Sequence, residues 1–204
     1  RRTMSHRNTT PHDGDESMNL PLVKSLGALV AGTLITCTPV QAIQVVNPKP
    51  PVDLVLALDV SGSMNGLLES AKQRLWDVVN DMGRAQPQPD LRVALMTYGS
   101  PKYGRATGYV RVDVPLTRDL DAINEALFAL TTRGGDEYVA RVLSTAMKSL
   151  AWSQDRRALR TIFVAGNEAA TQDPMLDVHA AAREAKARDI VVNTIFCGQA
   201  AGDL

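Results

Sequence analysis

Four short apolar runs, VDLVLALDV (52–60), LRVALMTYG (91–99), LRTIFVAG (159–166) and IVVNTIFCG (190–198), punctuate the chain at wide intervals. A strand that is apolar at nearly every position buries both of its faces, so it needs packed layers above and below. The intervening segments supply those layers. After Ser63, the positions Leu67, Leu68, Ala71, Leu75, Val78, Val79 and Met82 recur at threes and fours, which predicts an amphipathic helix ending near Gly83. DLDAINEALFAL (119–130) and EYVARVLSTAMKSLAW (137–152) predict two more helices, joined by the loop TTRGGD. Asp173-Pro174 reads as a cap followed by proline at the first helical position, opening a helix through DPMLDVHAAAREAKARD. YVRVDVPL (109–116) differs, because Val110, Val112 and Val114 alternate with Arg111 and Asp113, as in an edge strand with one face in water. Strands alternating with helices predict an α/β domain with a mainly parallel sheet between helical layers.

The first 51 residues read differently. Residues 1–17 are polar and aperiodic, and are expected to be a leader outside the domain. Residues 18–42 have the plan of an export signal, with Lys24 before an apolar stretch from Leu26 to Val40 and Val40-Gln41-Ala42 as the cleavage site. That stretch is short and rich in Thr and Gly for a membrane span, so the mature chain is expected to be exported without one, to the periplasm, cell envelope or exterior. A lipoprotein signal ending at Cys37 is the alternative. Residues 43–51 form a Pro-rich linker, and the domain runs from 52 to 204. Cleavage leaves Cys197 as the only cysteine and His179 as the only histidine, which excludes an intrachain disulfide and a histidine-rich zinc site. Lys plus Arg and Asp plus Glu are balanced at 22 each, which gives no footing for a nucleic-acid partner. Cys197 reads as a buried, inert side chain, Trp76 and Trp152 as packing residues on helices, His179 as a helix-surface residue, and RRALR (156–160) as a solvated turn.

In parallel sheets function gathers beyond the carboxyl ends of the strands, and LALDVSGSMNG (56–66) lies at such an end. Asp59, Ser61 and Ser63 stand at i, i+2 and i+4, so in an extended segment they project to one side. Three readings follow from spacing. A serine caps the next helix while Asp59 binds nearby amides. Or a serine is a nucleophile, although the G-x-S-x-G elbow is absent and His179 is the only base at hand. Or one carboxylate and two hydroxyls form a hard-oxygen set suited to Mg²⁺ or Mn²⁺. A phosphate loop is excluded, since no Gly-Lys-Ser/Thr follows Gly62.

DVSGSM resembles the D-x-S-x-S motif of the von Willebrand factor type A domain, and the order of elements is similar from Val52 to Gly198. The resemblance implies a three-layer, Rossmann-like fold: a mainly parallel sheet with one antiparallel edge strand and helices on both faces. It implies a metal-ion-dependent adhesion site, where Mg²⁺, or Mn²⁺ or Ca²⁺ in its place, bridges the domain to an acidic residue of a protein partner. A non-enzymatic module for adhesion, scaffolding or complex assembly follows. In the family's second motif, RGGDEYVARVL places Asp136 where a loop threonine stands, similar to a bacterial Gly-Gly-Asp variant, with Glu137 beside it. Both acids also stand where a helix N-terminus would welcome negative charge. In the third motif, FVAGNEAA places Gly166 on the family's aspartate, so that Asn167 or Glu168 is expected to supply an oxygen, or Asp136 to compensate. The expected metal set is Asp59, Ser61, Ser63 and Asp136, with Glu137, Asn167 and Glu168 as further donors. The family continues past its fifth strand with another helix and strand, so a chain ending at Leu204 is expected to be a C-terminally truncated member. The alternatives are a metal-independent interaction module and a serine-dependent α/β hydrolase.

Overall fold

The computed structural model describes residues 48–198; the expected leader, the expected export signal, most of the expected linker and the C-terminal residues 199–204 lie outside the described residues. Five strands form one sheet in the order β3-β2-β1-β4-β5: β1 (Pro51–Asp59), β2 (Asp90–Tyr98), β3 (Val110–Thr117), β4 (Leu159–Gly166) and β5 (Ile190–Phe196). All neighbours are parallel except β2 and β3, so the alternating segment is the antiparallel edge strand its pattern predicts. The helices are α1 (Leu68–Arg84), α2 (Leu120–Phe128), α3 (Val139–Ser149) and α4 (Val178–Ala187).

The unbroken apolar character of β1 has a direct cause. Leu54, Leu56 and Leu58 pack with α1 and α2 through Leu68, Leu75, Val79, Ile123 and Leu127, while Val55 and Ala57 pack with α3 and α4 through Val142, Leu143, Ala146 and Ala185. Every residue of β1 beyond Pro51 is buried, so the strand has no solvent face. Asp53 and Asp59 share the face of Val55 and Ala57 by the alternation of side chains, one at each end of the strand.

The Asp53 end is closed by arginine. Arg92 on β2 donates from Nε and Nη2 to the two Asp53 oxygens, both at 2.8 Å, and the Ser153 amide donates to Asp53 Oδ2 at 2.6 Å. Arg92 Nη2 also reaches the Ala151 carbonyl at 3.1 Å, so one ion pair ties two strands to the loop after α3.

Three expectations need correction. The first helix begins at Leu68 rather than Ser63; residues 62–64 form a single 3₁₀ turn, and neither Ser61 nor Ser63 caps either element. Their hydroxyls are engaged with each other and with Asn167, which holds the segment away from helical geometry. The fourth helix begins at Val178, not after Asp173-Pro174. Asp177 is its cap, accepting from the amides of His179 and Ala180, whereas Asp173 is buried and held by Arg141 and by the amides of Met175 and Leu176. A side chain committed to that tertiary pair folds a local turn instead of starting a helix. Trp152 lies just beyond α3, its Nε1 donating back to the Ala146 carbonyl at 2.9 Å.

Arg92→Met would leave the Asp53 carboxylate buried and unpaired, which costs about 3–5 kcal/mol. The expected outcome is a lower urea midpoint at unchanged slope, with Asp53→Asn losing less because the Ser153 amide keeps its acceptor.

Candidate metal centre

Asp59 is the last residue of β1, at the carboxyl end where the chain has gone first to β2 and β3 and later to β4 on the other side. Such a switch point opens a crevice between β1 and β4. Asp59 is 1% exposed and accepts from the Ser61 amide at 2.7 Å. The Ser61 and Ser63 hydroxyl oxygens lie 2.8 Å apart, and Ser63 Oγ donates to Asn167 Oδ1 at 3.0 Å. That last bond spans the crevice and joins the two strand ends.

Two further loops close on this cluster. After β2, Gly99 has φ +84, and a Cβ there would lie 2.6 Å from Asp59 Oδ1, so only glycine lets the chain pass so near the carboxylate. The RGGDE segment crosses above: the Arg133 amide donates to the Val60 carbonyl at 2.7 Å, and a side chain on Gly135 would collide with the Gly99 carbonyl. Gln172 links the remaining loops, accepting from the Glu137 amide at 3.3 Å and donating to Glu168 at 3.0 Å.

Burial drives the Asp59 carboxyl up from 3.8 to about 7, against two contacts from Ser61 that pull it down, and the charges of Glu137 and Glu168 push it further up. The neighbouring Cys197 thiol is also pushed up, by its own burial and then by the Asp59 charge. Cys197 is half-buried, rather than buried as expected. Two other buried aspartates are matched by guanidinium groups, Asp53 by Arg92 and Asp173 by Arg141. Among the described residues neither Asp59 nor the 7% exposed Glu137 has a lysine or arginine partner. Buried carboxylates, hydroxyls and an amide oxygen gathered without a counter-charge are the chemistry that fits a hard divalent cation. The fit depends on hydroxyls: no three His, Cys, Asp or Glu side chains among the described residues gather closely enough to hold a metal by themselves.

The structure thus brings Asp59, Ser61, Ser63 and Asn167 together. Of the two acids in GGDE, Glu137 is the one whose charge bears on Asp59; Asp136 is exposed and its Oδ2 accepts from the Tyr138 hydroxyl at 3.2 Å. Neither acid supports α3, whose cap position is Tyr138 and whose first turn holds no acidic residue. Glu168 is exposed but within electrostatic reach of Asp59.

Gly166 has a physical explanation that sequence reasoning missed. Tyr98, paired in register with Asp59, runs beneath it and donates to the Ala165 carbonyl at 3.1 Å, and a Cβ on Gly166 would lie 2.5 Å from the Tyr98 hydroxyl. The phenol occupies the space that a side chain at 166 would need. The available signal was the aromatic at the carboxyl end of a central strand, directly before a glycine.

The SpRpn10 VWA domain is 19% identical at a TM-score of 0.56, over 74% of this chain and 77% of that one. The pilus adhesin SpaC from Lactobacillus rhamnosus GG is 19% identical at a TM-score of 0.53, over 72% of this chain and 24% of the adhesin. PTMP1 from the mussel byssus, in a structure with a zinc-occupied MIDAS motif, is 12% identical at a TM-score of 0.54 over 72% of this chain. The chain spans 36% of that protein's length. At such identities the likeness is one of fold. No curated protein matches the chain in sequence. The family model described as von Willebrand factor type A domain matches residues 53–203, nearly the whole of the described fold, and the chain belongs to that family.

Proposed function

We propose that this domain, a protein-interaction module by family, holds its partner through a divalent cation of the Mg²⁺ type, with Mn²⁺ or Ca²⁺ able to take its place. Asp59, Ser61 and Ser63 would hold the cation, with Asn167, Glu137 and Glu168 placed to complete or polarise its surroundings and Asp136 at the rim. The single observation that carries the reading is the fully buried Asp59 carboxylate, which has hydroxyl neighbours and no cationic side chain among the described residues. The bound cation would supply a Lewis-acidic point for an acidic side chain of a partner protein.

The chain's own residues set the terms of that contact. Ser61 fixes the Asp59 carboxylate through its amide, Gly99 excludes bulk beside it, and the Ser63–Asn167 bond holds the crevice at a width set by β1 and β4. The serines meet each other and Asn167 rather than a histidine, an arrangement that favours ligation over nucleophilic catalysis. Residues 18–42 support export to the periplasm, envelope or exterior, and no helix among the described residues is long and apolar enough to cross a membrane.

Calorimetry and thermal unfolding of the full chain test the reading. Saturating Mg²⁺ or Mn²⁺, at about 100 times its Kd, is expected to add about 2.7 kcal/mol, a rise of several degrees in Tm. An undiminished response in Asp59→Ala would defeat the proposal. Glu137→Gln is expected to weaken Mn²⁺ by about tenfold, or 1.4 kcal/mol, and Asp136→Asn to leave it nearly unchanged.

The pH dependence has a definite sign. The Asp59 carboxyl is raised to about 7 in the folded, cation-free protein, so the proton it binds stabilises the fold at low pH. This contribution is complete below the ordinary carboxylate range and is lost as pH rises through about 7. Protons and cations compete for the same oxygens, so Mn²⁺ affinity should climb about tenfold per pH unit below 7 and flatten above it. In EDTA at pH 8, Asp59→Asn should be more stable than the parent chain, by up to about 4 kcal/mol, while losing the cation response.

A further inference from the structure

Tyr109, the residue before β3, has φ +58, a left-handed backbone that bulky side chains seldom take. Asp189 is the one other non-glycine residue with positive φ among the described residues, and it stands just past the end of α4, where a short polar side chain tolerates that geometry. A turn alone does not explain an aromatic at 109. Gly108 before it is left-handed as well, at φ +65, and a second glycine would adopt the same backbone freely.

The contacts of Tyr109 join two loops of the candidate site. Its carbonyl accepts from the Gly99 amide at 3.1 Å, and Gly99 is the residue that passes the Asp59 carboxylate. Its ring meets the Tyr138 ring in a tilted pair, with centroids 5.5 Å apart and 52° between the planes, an attractive arrangement for two aromatics. Tyr138 is 7% exposed and directly follows Glu137. Its hydroxyl donates back to Asp136, and the Arg141 guanidinium lies 5.8 Å from its ring centroid. Gly108 makes room for that guanidinium, since a Cβ there would collide with the Arg141 side chain.

We propose that Tyr109 is a positioning residue of the cation site: anchored to the Gly99 turn by its carbonyl, it braces Tyr138 with its ring and through Tyr138 holds Glu137 in place. The inference rests on the cation reading above. Glu137 is buried without a lysine or arginine partner among the described residues, so its side chain is placed by the segment that carries it. Two fastenings of that segment flank the acid, the Gln172 contact on its own amide and the packing of the next residue, Tyr138, against Tyr109. Groups that orient the residues around a metal matter to its affinity by about 10–100-fold.

The test measures Mn²⁺ binding by electron paramagnetic resonance on the full chain and its variants, each titrated well below its own unfolding midpoint in EDTA, so that a loss of affinity is not a loss of fold. Tyr109→Asn tolerates the left-handed backbone and removes the ring. It is expected to bind Mn²⁺ about tenfold more weakly, as is Tyr109→Gly, whereas Tyr109→Phe, which keeps the ring, restores the parent affinity. A merely structural role is separated by a cycle with Glu137→Gln: in that background Tyr109→Asn should weaken Mn²⁺ by less than about twofold. An equal loss in both backgrounds would mean that Tyr109 does not act through Glu137 and would overturn the proposal. Parent-like binding by Tyr109→Asn would overturn it too, and both results leave the cation reading intact. A parent chain that binds no Mn²⁺ would remove the cation reading itself, and the role of Tyr109 with it.

Discussion

Everything at the functional end of this domain follows from one unbalanced charge. β1 is buried on both faces, so the aspartates at its two ends are pulled into the protein along with it. A buried carboxylate is tolerable when it is paired and hydrogen-bonded and costly when it is not. At the Asp53 end, Arg92 meets both oxygens and the Ser153 amide takes a third contact. At the Asp59 end the contacts come from Ser61 alone, and burial pushes the carboxyl to about 7. The same strand thus carries an internally compensated acid at one end and, among the described residues, an acid without a cationic side-chain partner at the other.

The loops around Asp59 are shaped by that need. Gly99 gives up its side chain so that the backbone can pass the carboxylate, and Gly135 gives up its own so that the RGGDE segment can lie on Gly99. Tyr98 and Gly166 form a third exchange, in which a phenol from β2 fills the space in front of β4 and anchors itself on the Ala165 carbonyl. Glycine at 166 is then part of the packing around the Tyr98 phenol, which leaves no room there for a side chain. Its consequence is a site whose negative charge comes from β1 and the GGDE loop, and whose β4 side offers the neutral Asn167.

Stability and binding pull against each other here. An amide at 59 would relieve the cation-free protein, and under the proposed reading it would also take the negative charge out of the site. The compensation is spread through the rest of the fold: two fully buried apolar clusters on either side of the sheet, the Asp53–Arg92 pair, and the Arg141–Asp173 pair that fixes the loop carrying Gln172. A rigid frame lets a small region remain electrostatically strained.

The sequence by itself determined the architecture, because doubly buried strands and one-sided helices leave different periodicities, and a run such as VDLVLALDV has few other solutions. It also pointed to Asp59, Ser61 and Ser63, but what brings them together is the 3₁₀ turn at residues 62–64 and the Ser61 amide on Asp59 rather than the alternation of an extended chain. Where local rules compete with distant partners it fell short. Asp173-Pro174 carries every sign of a helix start, yet Arg141, 32 residues away, claims the aspartate and shifts the start to Val178. Adjacent acids in GGDE look equivalent in text, and only the crossing of that loop over β1 decides that Glu137 goes in and Asp136 stays out. Tyr98 beneath Gly166 belongs to the same class. Each is a contact between segments far apart in the chain, set by strand order and register, and no spacing within a single segment encodes it.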